Sequence, residues 1–295
     1  MSTTAWRRRA VAALVVLIGA VVAAGCQSLV DVTGAKVDLR LAPHEQVEIP
    51  LVTNEDEQPI VPDAIEGKKV FDANCAVCHG ANGDGNGPMA ATLTAPDKDV
   101  LTALLGLFRI ELHRPALPSK PINFHNRDLE AVITPAIMYE TVTGGRPHTA
   151  MPAFGPDASF GANKAQTLTN AQRWDANVYE MMFRTTPAEL SAAKQLYDQQ
   201  CAACHGVNGD GKGPRGPEIA AQLWSWARGE GPGVFTDINY MVQRDPSQIS
   251  NVIMDGAVVN GRPLMPPYRD KLSKQQIDGL VDYVYTFFYK HPPIK

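Results

Sequence analysis

The segment CAVCHGANGDGNGP, from Cys75 to Pro88, returns almost unchanged as CAACHGVNGDGKGP, from Cys201 to Pro214. Each copy has a pair of cysteines separated by two residues, a histidine directly after the second cysteine, and then a glycine-rich stretch. Cysteines at this spacing lie on one face of a helical turn, and the side chain that follows projects beside them. The repetition therefore predicts the same small chemical site twice.

The CxxCH string predicts covalent haem attachment at both places. The two thiols can add to the vinyl groups of haem, and the histidine can then bind the iron from the proximal side. Zinc is the main alternative, since cysteine pairs also form metal knuckles. The two pairs stand in separate repeat copies, which disfavours one shared four-cysteine site. A thioredoxin-like redox pair would need a strand-and-helix context that the sequence lacks.

The motifs belong to two copies of a larger repeat. An amphipathic helical pattern precedes each motif and places an aromatic residue, Phe71 or Tyr197, four positions before the first cysteine. Each copy later reaches a Met-Pro step and closes on an aromatic-rich helical pattern. Thr169 and Ser273 are predicted to cap these closing helices.

From about Ala64 to the C-terminus the sequence resembles two class I cytochrome c domains in tandem. The resemblance rests on the aromatic first helices, the CxxCH motifs, the GxGxGP stretches, the Met-Pro steps and the closing helices. It implies an all-α fold in which each domain holds one covalent haem c, two in all. The implied attachment and axial residues are Cys75, Cys78, His79 and Met151 in the first domain, and Cys201, Cys204, His205 and Met265 in the second. In this family a carbonyl at the Gly-Pro step accepts a hydrogen bond from the proximal imidazole, which implies that role for Pro88 and Pro214.

The distal ligand of the first haem has competitors. His148 lies close to Met151, and Met138 and His125 are further candidates. The repeat favours Met151, because it occupies the same Met-Pro step as Met265 and His/Met ligation is the usual arrangement in cytochromes c.

Four segments are predicted: a signal segment at residues 1–25, a flexible lipid-anchored tether at 26–63, and cytochrome c domains at 64–186 and 187–295. A short basic start and an apolar run lead to Ala23-Ala24-Gly25-Cys26, which resembles a bacterial lipoprotein signal with Cys26 as the lipidated residue. An uncleaved membrane anchor, or simple cleavage that leaves Cys26 free, are the alternatives. All three place the domains in the periplasm or on the extracytoplasmic face of the membrane.

The predicted function is single-electron transfer rather than catalysis, because an iron with both axial positions filled has no place for a substrate. The expected partners are a quinol-oxidising complex on one side and a terminal oxidase or reaction centre on the other. The alternatives are a fixed subunit of a respiratory or photosynthetic complex, such as alternative complex III, and a dihaem redox enzyme. The formal charge of −4 gives no indication of a nucleic-acid partner. The first domain has longer loops than the second, interpreted as tolerated surface insertions or as a docking surface or lid.

Overall fold

A computed structural model describes residues 52–93, 120–147, 149–159, 163–223, 232–259 and 261–293, and most of their regular structure is helical. The first repeat contains α1 (Ala64–Asn74), α2 (Ala76–His79), α3 (Arg127–Glu130), α4 (Pro135–Gly144) and α5 (Asn170–Met181). The second contains α6 (Pro187–Gln200), α7 (Ala202–His205), α8 (Gly216–Leu223), α9 (Ile238–Met241), α10 (Pro246–Asp255) and α11 (Lys274–Tyr285). Short 3-10 helices lie at Ala90–Thr92, Met182–Arg184 and Thr286–Phe288. This content agrees with the predicted all-α class, apart from an antiparallel hairpin of β1 (Ala257–Val259) and β2 (Arg262–Met265).

The closing helices begin where the sequence predicts. The Thr169 hydroxyl accepts from the backbone N–H of Gln172 at 3.1 Å, and the Gln172 side chain accepts from the N–H of Thr169 at 2.9 Å. Ser273 and Gln276 form the same reciprocal pair at the start of α11. Both N-cap predictions are confirmed, because each cap satisfies backbone donors that a helix leaves free in its first turn.

In each repeat the first helix crosses the last one, α1 on α5 and α6 on α11. Aromatic rings fill both crossings with closely matched geometry. The Phe71 and Tyr179 ring centroids are 5.4 Å apart, and those of Tyr197 and Tyr283 are 5.2 Å apart. The aromatic residue before each motif is therefore a core anchor that joins the motif to the closing helix.

A small residue allows the close approach at each crossing, but it lies on different helices in the two repeats. In the first repeat it is Gly67 of α1, where an added Cβ would overlap the Asp175 carbonyl of α5. In the second repeat it is Gly279 of α11, where an added Cβ would lie 3.4 Å from the Cβ of Ala193. The first crossing has no room for a methyl group, and the second has room for one.

We expect Gly67→Ala to destabilise the protein by about 1–3 kcal/mol, since the new methyl group must push α5 away. Gly279→Ala is the matched control, and it should be neutral or slightly stabilising because alanine favours a helix interior. Urea unfolding of the two haem-loaded variants measures the difference. An equal effect of both substitutions would contradict this description of the crossings.

Residues 52–63 do not behave as the predicted tether. Val52 is 2% exposed, and its carbonyl accepts from the N–H of Ile60 at 2.9 Å. The Pro62 carbonyl accepts from the N–H of Lys290 at 2.8 Å, and the Lys290 carbonyl accepts from the N–H of Ala64 at 3.1 Å. The tether prediction is therefore wrong for this stretch, because residues 52–60 bond to each other and residues 62 and 63 pair with the C-terminal segment. Residues 1–51, which include the predicted signal segment and Cys26, lie outside the described residues.

The two repeats contact each other directly and belong to one compact unit, Pro50–Lys295. The backbone N–H of Ala136 donates to the Val242 carbonyl at 2.9 Å, and the N–H of Ser247 donates to the Ala131 carbonyl at 2.8 Å. The first bond joins the start of α4 to the residue that follows α9, and the second joins the start of α10 to the residue that follows α3. The two motif-bearing domains are thus held against each other by main-chain hydrogen bonds.

Candidate cofactor sites

Each CxxCH motif forms one tight helical turn. The Cys75 carbonyl accepts from the N–H groups of Cys78 and His79 at 3.1 and 2.8 Å. The Cys201 carbonyl accepts from Cys204 and His205 in the same way, both at 3.0 Å. Two thiols and an imidazole are thereby presented from a single turn in each domain, as the spacing predicts.

The surroundings of Cys75, Cys78 and Cys201 disfavour the thiolate. Burial raises the pKa of Cys75 to about 12 and the pKa of Cys201 to about 11, and it also raises the pKa of Cys78. Zinc is bound by thiolates. Among the described residues, no three His, Cys, Asp or Glu side chains come together in a way that could hold a metal ion. The donor set therefore fits thioether attachment of haem better than a zinc knuckle.

Each motif histidine is half-buried and stacks on one aromatic ring. His79 stacks on Phe124 with centroids 4.7 Å apart, and His205 stacks on Phe235 at 4.8 Å. Burial lowers the pKa of both imidazoles, so each keeps a neutral ring with a lone pair for a metal. These are the properties required of a proximal haem ligand.

The hydrogen-bond acceptor of the second imidazole corrects one prediction. Nδ1 of His205 donates to the Gly233 carbonyl at 3.2 Å, so the acceptor is not Pro214. In the first domain the backbone of Ile122 takes the corresponding place beside His79. It raises the pKa of His79, against the lowering by burial. Nδ1 of His79 nevertheless completes no hydrogen bond. This buried nitrogen still requires an acceptor.

The path of the glycine-rich stretch explains why the Gly-Pro step does not supply the acceptor for the imidazole. It folds back on the motif, with the N–H of Gly87 donating to the Cys78 carbonyl at 3.0 Å and the N–H of Arg215 donating to the Ala203 carbonyl at 2.8 Å. Pro88 and Pro214 are therefore left exposed. The chain reaches the imidazole only later, at a Pro-x-x-Phe step that both repeats contain. That shared step, Pro121–Phe124 and Pro232–Phe235, is the sequence signal that motif reasoning missed.

The Met-Pro steps occupy matching positions after α4 and α10. Each of these helices ends at a glycine with positive φ, Gly145 at 70° and Gly256 at 71°. A Cβ on Gly145 would lie 3.0 Å from the Met151 carbonyl oxygen, and a Cβ on Gly256 would overlap the Met265 carbonyl. Both methionines are half-buried, Met151 against a small apolar cluster that includes Phe154, and Met265 at the end of β2.

The competing ligands of the first site are placed as follows. Nε2 of His125 lies 2.8 Å from the Asn82 carbonyl oxygen, and the ring packs edge-on against Phe183. Met138 is a half-buried residue within α4. His148 lies outside the described residues. His125 is therefore committed to a hydrogen bond on the protein surface.

Two family models match the chain, one to each domain. The cytochrome c model matches residues 64–179, and the model of cytochrome c oxidase, cbb3-type, subunit III matches residues 188–284. The matched ranges cover both motifs and most of both helix crossings described above.

Curated relatives match more than half of the chain. The chain is 28% identical over 168 residues to the cbb3-type cytochrome c oxidase subunit FixPc of Rhizobium leguminosarum bv. viciae, a match that covers 56% of this chain and 47% of the relative. It is 25% identical over 224 residues to the cbb3-type cytochrome c oxidase subunit CcoP of Azospirillum sp. (strain B510), covering 75% of this chain and 60% of the relative. The matches thus span about half to three fifths of the length of these relatives.

A solved structure was also matched. It is a chain of the reducing HAO-like protein complex of Kuenenia stuttgartiensis, with 24% identity and coverage of 77% of this chain and 99% of that chain. The TM-score of 0.28 is too low to support an argument about the fold.

Proposed function

The chain carries two cytochrome c domains, which implies covalently bound haem c, and we propose that it transfers single electrons through one haem in each domain. The observation that carries the proposal is the duplicated site: two half-buried thiols and a ring-stacked imidazole on one turn, in each of the two domains. Haem bound at such a site supplies a one-electron iron couple, whose potential depends on the axial ligands and on burial.

In this proposal the protein holds each haem by three residues of one turn. Cys75 and Cys78 attach the first haem and His79 is its proximal ligand, while Cys201, Cys204 and His205 serve the second. The stacked rings of Phe124 and Phe235 fix the planes of the two imidazoles. The Gly233 carbonyl orients the His205 ring and makes its other nitrogen a better metal donor.

We assign the distal positions to Met151 and Met265. The support is their matching placement, because in both domains the Met-Pro backbone lies against the glycine that ends the preceding helix. With both axial positions filled, neither site leaves room for a substrate, which favours an electron carrier over a dihaem enzyme.

We expect Met151→Ala to abolish the red methionine–iron absorption of the first haem and to lower its potential, because a thioether ligand raises the potential. Met138→Ala, which changes a half-buried methionine within α4, is the matched control and should leave the absorption intact. Redox titration and visible spectra of the full chain provide both measurements. If His148→Ala removes the absorption and Met151→Ala does not, the distal assignment is wrong.

We further propose that the domains work on the outer face of the cytoplasmic membrane and that Cys26 carries the lipid. The support is the apolar run that ends at Gly25-Cys26. Among the described residues, no helix combines the length and apolar character needed to cross a bilayer.

Cys26→Ser is expected to release the haem-loaded protein from membranes into the soluble fraction. The measurement is fractionation of cells that express the full chain, followed by a haem stain. Replacement of a neighbouring residue, Gln27→Ala, should leave the protein in the membrane fraction. A Cys26→Ser protein that stays in the membrane with residues 10–25 still present would identify that run as a permanent anchor.

A fixed subunit of an oxidase complex is the second candidate, and the relatives favour it. Both curated relatives are named as cbb3-type oxidase subunits, and the model matched by the second domain has the same description. Gentle solubilisation of native membranes, followed by identification of co-purifying proteins, decides between the candidates. A partner at fixed stoichiometry would indicate a subunit, and recovery of the chain alone would indicate a free carrier.

A further inference from the structure

A cluster of charged side chains is buried where the two domains meet. Glu130, Glu180 and Asp282 are 3–5% exposed, and Arg184 is 9% exposed. Burying ionised groups costs free energy unless each of them finds a partner. The interface cluster consists of these four residues and Arg127, which is half-buried.

The ion pairs account for all but one of its charges. Arg127 Nη2 lies 2.6 Å from Asp282 Oδ2, which joins the first domain to the second. Arg184 Nε lies 3.6 Å from Glu130 Oε2 and 3.8 Å from Asp282 Oδ1. Two arginines therefore form ion pairs with Glu130 and Asp282. Glu180 forms no ion pair with any described residue.

Glu180 faces Glu130 instead. The two carboxyl groups lie within hydrogen-bonding reach of each other, and Oε1 of each is buried without a donor among the described residues. Two carboxylates that meet in a buried site cannot both stay ionised. A single proton shared by the two carboxyl groups gives both unpaired Oε1 atoms a hydrogen bond. The positive charges of Arg127 and Arg184 then balance the negative charges of Glu130 and Asp282.

We propose that Glu130 and Glu180 bind one proton between them, so that the interface between the domains is a proton-binding site. The proton resides on Glu180, which donates a hydrogen bond to Glu130, and Arg184 balances the charge of Glu130. The site does not depend on electron transfer by the haems, and it is tested without measuring electron transfer.

Burial, followed by the negative charge of Glu130, raises the pKa of Glu180 well above its usual range, and Arg184 opposes this shift. Burial also raises the pKa of Glu130, against the effect of Arg184. Two further titratable groups act on the cluster: Asp278 raises the pKa of Asp282, and Tyr285 raises the pKa of Arg184. The only cations that act on the two glutamates among these groups are Arg127 and Arg184.

The first experiment is infrared spectroscopy of the haem-loaded full chain at neutral pH. We expect the carbonyl band of a protonated carboxylic acid, and we expect Glu180→Gln to remove it. The control is Glu140→Gln, a substitution of an exposed glutamate on α4 of the same domain, which should leave the band unchanged. A wild-type spectrum without the band, or a band that survives Glu180→Gln, overturns the proposal.

The second experiment measures unfolding against pH. Above the usual glutamate pKa of about 4.3 the unfolded chain has lost this proton while the folded chain keeps it, so wild-type stability falls as pH rises toward the raised folded pKa. Glu180→Gln lacks this proton. Within that window the unfolding constant of the wild type, divided by that of the variant, should rise about tenfold per pH unit. A ratio that does not change with pH overturns the proposal.

Glu130→Gln keeps the proposal testable if Glu180→Gln does not fold. It replaces the like charge with an amide that can donate to Glu180, so Glu180 should ionise at lower pH and the infrared band should disappear at lower pH than in the wild type. A band that titrates at the wild-type pH in Glu130→Gln overturns the shared site.

Discussion

Changing Cys75 and Cys78 together to serine is expected to remove one covalent haem from the chain and to leave the other in place. Thioether attachment requires a thiol on each side of the turn, and a serine hydroxyl does not add to the vinyl groups in its place. The second domain keeps its own turn, in which the Cys201 carbonyl holds the N–H groups of Cys204 and His205. Intact-mass measurement after acid-acetone extraction counts the haems that remain.

The matched variant changes Cys201 and Cys204, and it should lose one haem as well. All four substitutions together should leave none. A wild-type chain with a single haem increment, or a Cys75/Cys78 variant that retains two, would contradict the proposed arrangement of one haem in each domain. Because each domain has its own helix crossing, the surviving haem should keep its usual spectrum.

The second large effect is expected at the domain interface. Asp282→Ala should lower the free energy of unfolding by about 3–5 kcal/mol, because it leaves Arg127 and Arg184 without their shared carboxylate. Urea unfolding of the haem-loaded chain measures this loss. Asp282→Asn keeps the shape of the side chain and removes its charge. Comparison with Asp282→Ala therefore separates the loss of unfolding free energy that is due to charge from the loss that is due to packing.

Asp278→Ala on the same helix is the control for this effect. Asp278 pairs with Lys274 at 2.7 Å, but the lysine side chain is 76% exposed. Exposed pairs of this kind contribute about 0–1 kcal/mol. Similar losses for Asp278→Ala and Asp282→Ala would show that the interface pairs do not hold the domains together.

The sequence predicted the features that depend on short spacings. The turn that presents Cys75, Cys78 and His79 follows from local helical geometry, and the caps at Thr169 and Ser273 follow from local side-chain chemistry. Both are formed by residues within four positions of each other, so the chain can specify them without any knowledge of its tertiary path.

The features that escaped prediction depend on residues far apart in the chain. Gly233 reaches His205 only after the glycine-rich stretch has folded back, so Pro214 was the wrong choice of acceptor. Val52 is buried, and residues 62 and 63 pair with the C-terminal segment, whereas the composition of residues 52–63 alone indicates a tether.

The interface cluster was not predicted from the sequence for the same reason. Glu130, Glu180 and Asp282 each stand in a helix with an ordinary mixture of polar residues, and nothing nearby in the sequence shows that they are buried. Their meeting follows from the contact between the domains, which no local pattern encodes.

The backbone pairing of residues 62–64 with Lys290 has a mechanical consequence. Because the segment that enters the first domain is bonded to the segment that leaves the second, we expect a force applied at residue 52 to be shared by both domains. The contact between Asp63 and His291, with Oδ1 and Nδ1 2.9 Å apart, reinforces the same corner. We therefore expect the two domains to resist a pull together, and not to unfold one after the other.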